Sequence, residues 1–426
     1  MTRPRFHVTA PSGWINDPLG VTWHRTPEGA AYELFVQHVP GATEWAPACT
    51  WGQLTSPDLV RWQWVGTALS PGDGEAGCWS GSVAVGDDGV PVIFYTSVRA
   101  GSLALGAINR AVGEPSWREW TADPEPVIPG PPPGLTHFRD PHVRREGSGW
   151  RMVVGGGRDD GRAGGRPIAV QYSSPDLRRW TLDGVLAEAD GPGSVWECAQ
   201  LVRVDGAWVL LVSVWDDGSP QHVAYAVGEL DGDRFTPGPW RRFTATDAVY
   251  ATTTFPDAAG RTCAISWVRE PGAPGTEWAG VLSLPVVLGR DGDRLLLAPH
   301  PDVDGLRTAV LADTSAPDAG GADGDVLGPF EPFLDIEVDL EAEPARLAVG
   351  DLLTLDAGAA GLVLKRPGRP DQGLPASGRV RLLLDAELAE VFAAGDAAVV
   401  RVDPATGPVA VSVQGVRRIT VHALSR

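Results

Sequence analysis

The sequence predicts an all-β chain, a five-bladed β-propeller followed by a β-sandwich. Three observations carry this prediction. Five short apolar runs each follow a turn glycine: Tyr32–His38 after Gly29, Pro91–Ser97 after Gly89, Trp150–Gly156 after Gly149, Ala207–Ser213 after Gly206 and Arg261–Trp267 after Gly260. Their starts lie 59, 59, 57 and 54 residues apart. The runs are rich in Val, Ile, Phe, Tyr and Trp and are bounded by Gly, Pro and Asp, which is strand chemistry rather than helix chemistry. Finally, Ser56-Pro57-Asp58-Leu59-Val60-Arg61-Trp62 recurs as Ser174-Pro175-Asp176-Leu177-Arg178-Arg179-Trp180, an offset of 118 residues, or two periods of 59.

A period of this length with several strand and turn signals per unit fits a propeller blade with extended loops. A solenoid coil would hold fewer strands. The five units occupy roughly residues 14–300, so residues 1–302 are expected to form the propeller domain. After Pro301 the character changes. Residues 303–326 include the small, polar stretch Thr314–Gly324 and are expected to be a linker or exposed loop. Short alternating runs resume at Val380–Leu384, Ala398–Val402 and Val409–Val413, so residues 327–426 are expected to form a β-sandwich.

Bulk composition narrows the function. The chain has 426 residues, enough to bury large cores without disulfide staples. Gly (53) and Pro (38) together supply the many tight turns that such a fold requires. A net charge of −19 argues against nucleic acid or an anionic membrane as partner and suits a neutral ligand. The 17 tryptophans suit both packing between sheets and stacking on sugar rings. No apolar run reaches the roughly 18 residues of a membrane span, and Met1–His7 has no apolar leader core. Cys49, Cys78, Cys198 and Cys263 are far apart with no paired spacing. A reduced, cytoplasmic chain is the simplest expectation, although a secreted chain freed of its leader reads the same. The eight histidines include no paired ligand spacing, so neither a metal nor another cofactor is expected. Gly155–Gly165 is glycine-rich without a following Gly-Lys-Ser/Thr and reads as a hairpin loop rather than a phosphate cradle. Pro131-Pro132-Pro133 reads as a stiff loop.

Three acidic motifs stand at matching places in three repeats: Trp14-Ile15-Asn16-Asp17-Pro18, Phe138-Arg139-Asp140-Pro141 and Trp196-Glu197-Cys198. Asp140 lies nine residues before Gly149, Glu197 nine before Gly206 and Asp17 twelve before Gly29. Equivalent points of a closed ring converge on its axis. Asp17, Asp140 and Glu197 are therefore expected at one site, with what glycoside hydrolysis needs: a carboxylate at the anomeric carbon, a carboxylic acid for the leaving oxygen and a third group to hold hydroxyls. Clustering raises carboxyl pKa values, as the acid requires. Taken singly, Asp17 would be a turn former, Arg139-Asp140 a local ion pair and Glu197 a surface acid.

The motifs resemble those of glycoside hydrolase family 32, the invertases and fructan hydrolases. Trp14–Gly20, Arg139–Pro141 and Glu197-Cys198 are similar to its WMNDPNG, RDP and EC motifs. His7-Val8-Thr9, Leu34–His38, Cys78–Ser82, Trp278–Pro285 and Leu384–Phe392 extend the resemblance over nearly the whole chain. It implies Asp17 as nucleophile, Glu197 as general acid/base and Asp140 as transition-state stabiliser. It also implies a fructose pocket lined by Asn16, Gln37, Trp45, Trp79, Ser80, Arg139 and Trp278. Arg139 is suited to paired hydrogen bonds with sugar hydroxyls and to holding Asp140 ionised, and Asn16 and Gln37 match hydroxyls as donors and acceptors. Two departures stand out. Leu19 replaces an Asn, removing a polar group expected beside the nucleophile, and Ala199-Gln200 replaces Pro-Asp on what is expected to be the loop carrying the acid. The expected activity is retaining hydrolysis of terminal β-fructofuranosyl bonds in a small carbohydrate substrate. A fructosyltransferase on the same scaffold and an inactive carbohydrate-binding protein remain alternatives. Sucrose, inulin, levan and short oligosaccharides are not distinguished, nor is oligomeric state.

Overall fold

The computed structural model describes residues 3–26, 29–161, 165–188, 191–270, 275–315, 325–340 and 344–426. Apart from one short 3-10 helix, its regular elements are all strands. The strands between Gly13 and Pro299 form five blades of four principal antiparallel strands each. The innermost strands are Gly13–Thr26, Gly77–Val85, Leu135–Glu146, Val195–Val204 and Val249–Pro256. They neighbour one another in chain order, and the last packs back against the first. The five apolar runs with regular spacing are the second strands, Gly29–Val39, Pro91–Arg99, Gly149–Arg158, Ala207–Asp216 and Thr262–Val268. They are buried on both faces between neighbouring blades, so they read as continuous apolar runs rather than as alternation.

The ring is closed by Trp278-Ala279, which pairs in parallel with Gly13-Trp14. Gly280 permits this closure. It sits at φ +83°, and a Cβ there would lie 1.7 Å from the Ile15 carbonyl oxygen. The recurring Ser-Pro-Asp segments have one job in two blades. Asp58 and Asp176 each accept a backbone hydrogen bond from the residue three further on, Arg61 and Arg179, turning the chain from the third strand of a blade toward the fourth.

The Gly155–Gly165 reading needs correction. Gly155, Gly156 and Gly157 lie inside a strand, and the turn begins after Arg158, with residues 162–164 outside the described set. The reason is packing: a Cβ on Gly155 would meet the Trp196 carbonyl oxygen at 2.3 Å. Gly155 and Gly157 let the inner strand of the fourth blade come close, and Gly156 lies against the His137 carbonyl of its own blade.

Residues 303–326 are not simply a linker. Pro301–Leu306 is the 3-10 helix, and Arg307–Ser315 pairs antiparallel with Val416–Leu424 as an edge strand of the sandwich. Residues 316–324 lie outside the described set. The Thr and Val before the small polar stretch have strand propensity, and Arg307 anchors the strand start through Asp335 at 2.6 Å. The sandwich has two six-stranded sheets. Leu334, Ile336, Leu347, Leu382, Val391 and Val411 fill the space between them. A separate cluster, including Phe6, Leu284, Leu383, Leu388 and Phe392, joins sandwich to propeller.

Candidate active site

Each inner strand breaks register at the residues that matter. The shifts fall between Ile15 and Pro18, Trp79 and Gly81, Arg139 and His142, Glu197 and Gln200, and Tyr250 and Thr253. Asp140 (φ 67°), Cys198 (φ 48°) and Ala251 (φ 46°) take the left-handed conformation there. Such bulges re-aim side chains at one end of a strand, and the strain they hold is concentrated at the axis.

The first half of the site is a closed ring of hydrogen bonds. Trp14 Nε1 donates to Asn16 Oδ1 at 2.9 Å. Asn16 Nδ2 donates to Asp17 Oδ1 at 2.8 Å and to Gln37 Oε1 at 3.1 Å. Gln37 Nε2 donates to Ser80 Oγ, and Ser80 Oγ donates to Asp17 Oδ2. Both Asp17 oxygens are thus held by donors, leaving an oriented carboxylate. Burial pushes its pKa up to about 6, against the hydrogen bonds from Ser80 and Asn16, and Glu197 adds to the rise.

The second half turns on Arg139. Its Nε and Nη2 lie 2.9 and 2.8 Å from Glu197 Oε1, and its Cζ lies 6.0 Å from the ring centres of Trp79 and Trp215. The ion-pair partner of Arg139 is therefore Glu197 rather than Asp140, which corrects the expected role. Burial and Glu197 raise the Asp140 carboxyl despite the Arg139 charge. Cys198 N donates to Asp140 Oδ2 at 2.9 Å, and Asp140 N donates to Thr96 Oγ1 at 2.7 Å. Cys198 Sγ lies 3.9 Å from Asp17 Oδ2 and 3.8 Å from Asp140 Oδ2, which places the three acidic motifs around one point.

Tyr250, which sequence reasoning missed, donates from its hydroxyl to Glu197 Oε2 at 2.6 Å. Burial and the neighbouring Glu197 hold its phenol well above the ordinary tyrosine value, so it stays a donor. The signal was present in the repeat. Ser80 lies nine residues before Gly89 and Tyr250 ten before Gly260, close to the spacing of the acids. Trp215, also missed, carries no comparable mark. Trp45 sits at the rim, 46% exposed, with its ring centre 5.6 Å from that of Trp79. Trp278 lies beside Trp14 through the closing strand pair, with Arg3 Cζ 4.9 Å from its ring centre.

Both departures from the motifs take a structural meaning. Leu19 is buried with Phe35, Trp51 and Ile93 between blades, away from the carboxylates. Ala199-Gln200 lies in a strand, not a loop. Gln200 Nε2 donates to the Thr252 carbonyl at 2.6 Å, and its Oε1 accepts from Thr254 N at 2.8 Å, fastening the fourth inner strand to the fifth. Among the described residues, Asp257, Cys263 and His300 gather ligand atoms within 4.8 Å of one another. Asp257 already accepts from Arg261 Nε at 2.6 Å and lies 3.0 Å from His300 Nε2, so a guanidinium fills the place of a cation.

Residues 7–299 match the model of the glycosyl hydrolases family 32 N-terminal domain. The chain belongs to glycosyl hydrolase family 32. It is 36% identical over 334 residues to a sucrose-6-phosphate hydrolase of Escherichia coli, covering 71% of this chain and 66% of the relative. It is 28% identical over 347 residues to a fructan 6-exohydrolase of Beta vulgaris, covering 72% of this chain and 55% of that one. The matches thus span less than two thirds of these relatives' lengths. Among solved structures, the family 32 β-fructofuranosidase of Bombyx mori superposes with a TM-score of 0.85 at 24% identity, covering 100% of this chain and 94% of that one. That likeness extends the family 32 fold through the sandwich.

Proposed function

We propose that this family 32 chain hydrolyses terminal β-fructofuranosyl bonds with retention of configuration. The observation that carries the reading is the convergence of Asp17, Asp140 and Glu197 from three inner strands around Cys198, each carboxylate gripped by named donors. Asp17 attacks the anomeric carbon while Glu197 protonates the departing oxygen; Glu197 then draws a proton from the water that cleaves the fructosyl-enzyme. Asp140 stabilises the positively charged transition state and holds sugar hydroxyls. Asn16, Gln37 and Ser80 hold Asp17, and Arg139 and Tyr250 hold Glu197. Trp45, Trp79 and Trp278 supply apolar walls for the substrate. The relatives named for sucrose 6-phosphate and for fructan support a fructoside substrate.

The test is an activated fructoside in chelator, followed by peptide mapping. The expected outcome is fructose release without added metal and a fructosyl group trapped on Asp17. Asp17→Ala should form no adduct. Glu197→Ala should retain a burst with the activated substrate, because a leaving group that needs no proton bypasses the acid. A sugar mapped to Glu197 or Asp140, an inverted product, or activity restored only by a divalent cation would overturn the assignment. Fructosyl transfer dominating over hydrolysis at high sucrose would make the chain a transferase.

A further inference from the structure

The five inner strands carry the acid site in their first halves. Their second halves enclose a separate cavity of about 750 Å³ at the opposite mouth of the propeller channel. That volume falls within the roughly 300–1,000 Å³ of small-molecule sites. Arginine and tryptophan side chains line it. Arg203 Cζ and Arg144 Cζ lie 4.2 and 5.4 Å from the Trp208 ring centre, and Arg145 Cζ lies 4.8 Å from that of Trp150. Trp23, also on the wall, is 36% exposed.

The charge is as unusual as the aromatic content. The chain carries −19 overall, yet this wall presents the guanidinium groups of Arg144, Arg145 and Arg203 against Glu146 and Asp257, with Arg145 also paired to Asp87 at 2.6 Å. Asp257 is already taken by Arg261 and His300. Glu146 Oε2 accepts from one nitrogen of Arg144, Nη2, at 2.7 Å. Arg144 Nε and Nη1 have no hydrogen-bond partner, and neither does Nδ1 of His142 on the same strand. Leaving such groups buried and unpartnered costs stability that an oxyanion would return. Burial and the Arg144 charge push His142 down to about 3, so the ring stays neutral and the arginines supply the positive charge of the wall.

We propose that this opposite mouth is a second ligand site, distinct from the acid pocket, that takes a phosphorylated monosaccharide. The phosphate engages Arg144 and Arg203, whose forked N–H groups match phosphate oxygens, and the sugar ring stacks on the exposed indole of Trp23.

The test is calorimetric titration of the full chain with glucose 6-phosphate in saturating fructose, which occupies the acid pocket. The expected result is one saturable site, weakened about tenfold or more in Arg144→Gln and in Arg203→Gln, as loss of one charge-assisted contact predicts. Turnover of the fructoside in phosphate-free buffer should be unchanged in both variants. Arg203, near the rim, carries the test alone if the Arg144 variant does not fold. Glucose should bind far more weakly than its phosphate. Inorganic phosphate binding as tightly as glucose 6-phosphate would overturn the sugar component. Absence of binding in fructose, or wild-type affinity in both variants, would overturn the site.

Discussion

At the scale of single residues, two side chains position Glu197 from opposite sides, and they fail differently when changed. Arg139 places two nitrogens on one carboxylate oxygen while lying between Trp79 and Trp215. Lysine keeps the charge but not the planar group. Arg139→Lys should therefore lower kcat on the order of 100-fold, part of what a positioned acid/base contributes, with an unchanged circular-dichroism spectrum. Retention of wild-type kcat would show that the fork is dispensable. Tyr250→Phe removes only a hydroxyl that donates to Glu197. A hydrogen bond to a charged group is worth about 1.5–3 kcal/mol, so kcat should fall roughly ten- to a hundred-fold while KM moves little. Asp17 gives the pH dependence. Burial raises its carboxyl to about 6 and raises the Asp140 carboxyl beside it as well; the proposed roles need both ionised, so kcat/KM should fall as pH drops to about 6. Ser80 lowers the Asp17 pKa by donating to that carboxylate. Ser80→Ala should therefore move the acid limb to higher pH; a limb that stays put or moves lower would assign it to another group.

At the scale of elements, what was legible was whatever repeated. The second strands and the three acids surfaced because a turn glycine marks each blade and the functional residue keeps its distance from that glycine. Ser80 and Tyr250 obey nearly the same spacing without a charge to draw attention; Ser80 surfaced only through the family resemblance, and Tyr250 did not surface. The pairing of Arg139 with Glu197 was not legible, because it depends on two bulges in different blades. The edge strand Arg307–Ser315 was hidden because exposed edges tolerate small and polar residues, so its composition merges into the segment that follows. Gly155–Gly157 was misread because glycine marks close approach as well as turning. This last point can be tested. Gly155→Ala would set a Cβ against the Trp196 carbonyl, next to Glu197, whereas Gly130→Ala meets nothing within 4 Å. Overpacking of this kind costs about 1–3 kcal/mol. The Gly155 variant should lose stability to urea and also lose kcat, and the Gly130 variant neither. Equal behaviour of the two would mean that the inner strands are not in tight contact.

At the scale of the molecule, the N-terminal segment fastens the propeller to the sandwich through one buried histidine. His7 Nδ1 lies 2.8 Å from Asp385 Oδ2, and its Nε2 lies 3.2 Å from Glu390 Oε1. Asp385 also accepts from the backbone N–H groups of Arg5, Phe6 and His7, and Glu390 from that of Leu284. The strands that supply these acids are two-faced. Leu382, Leu384 and Val391 point between the sandwich sheets, while Leu383, Leu388 and Phe392 face the propeller. A charged residue on the propeller-facing side is tolerated only because a partner waits there. Burial alone would lower the His7 pKa, but the hydrogen bonds and charges of Asp385 and Glu390 outweigh it and raise the imidazole to about 9. A raised histidine pKa favours the folded state fully below the unfolded value of about 6.5, and that contribution disappears as pH rises through about 9. The shift corresponds to a ceiling of about 3 kcal/mol. Asp385 is lowered, since the His7 hydrogen bond and charge overcome its burial, so its contribution is lost on the acid side, as pH falls below the ordinary Asp value. Replacing the histidine by His7→Gln keeps hydrogen-bonding capacity but not the proton. The wild type should therefore melt at higher temperature than the variant near pH 6, and the gap should close between about pH 7 and 10. A gap independent of pH would show that His7 acts through packing alone, and a gap that widens with pH would show that it is buried neutral.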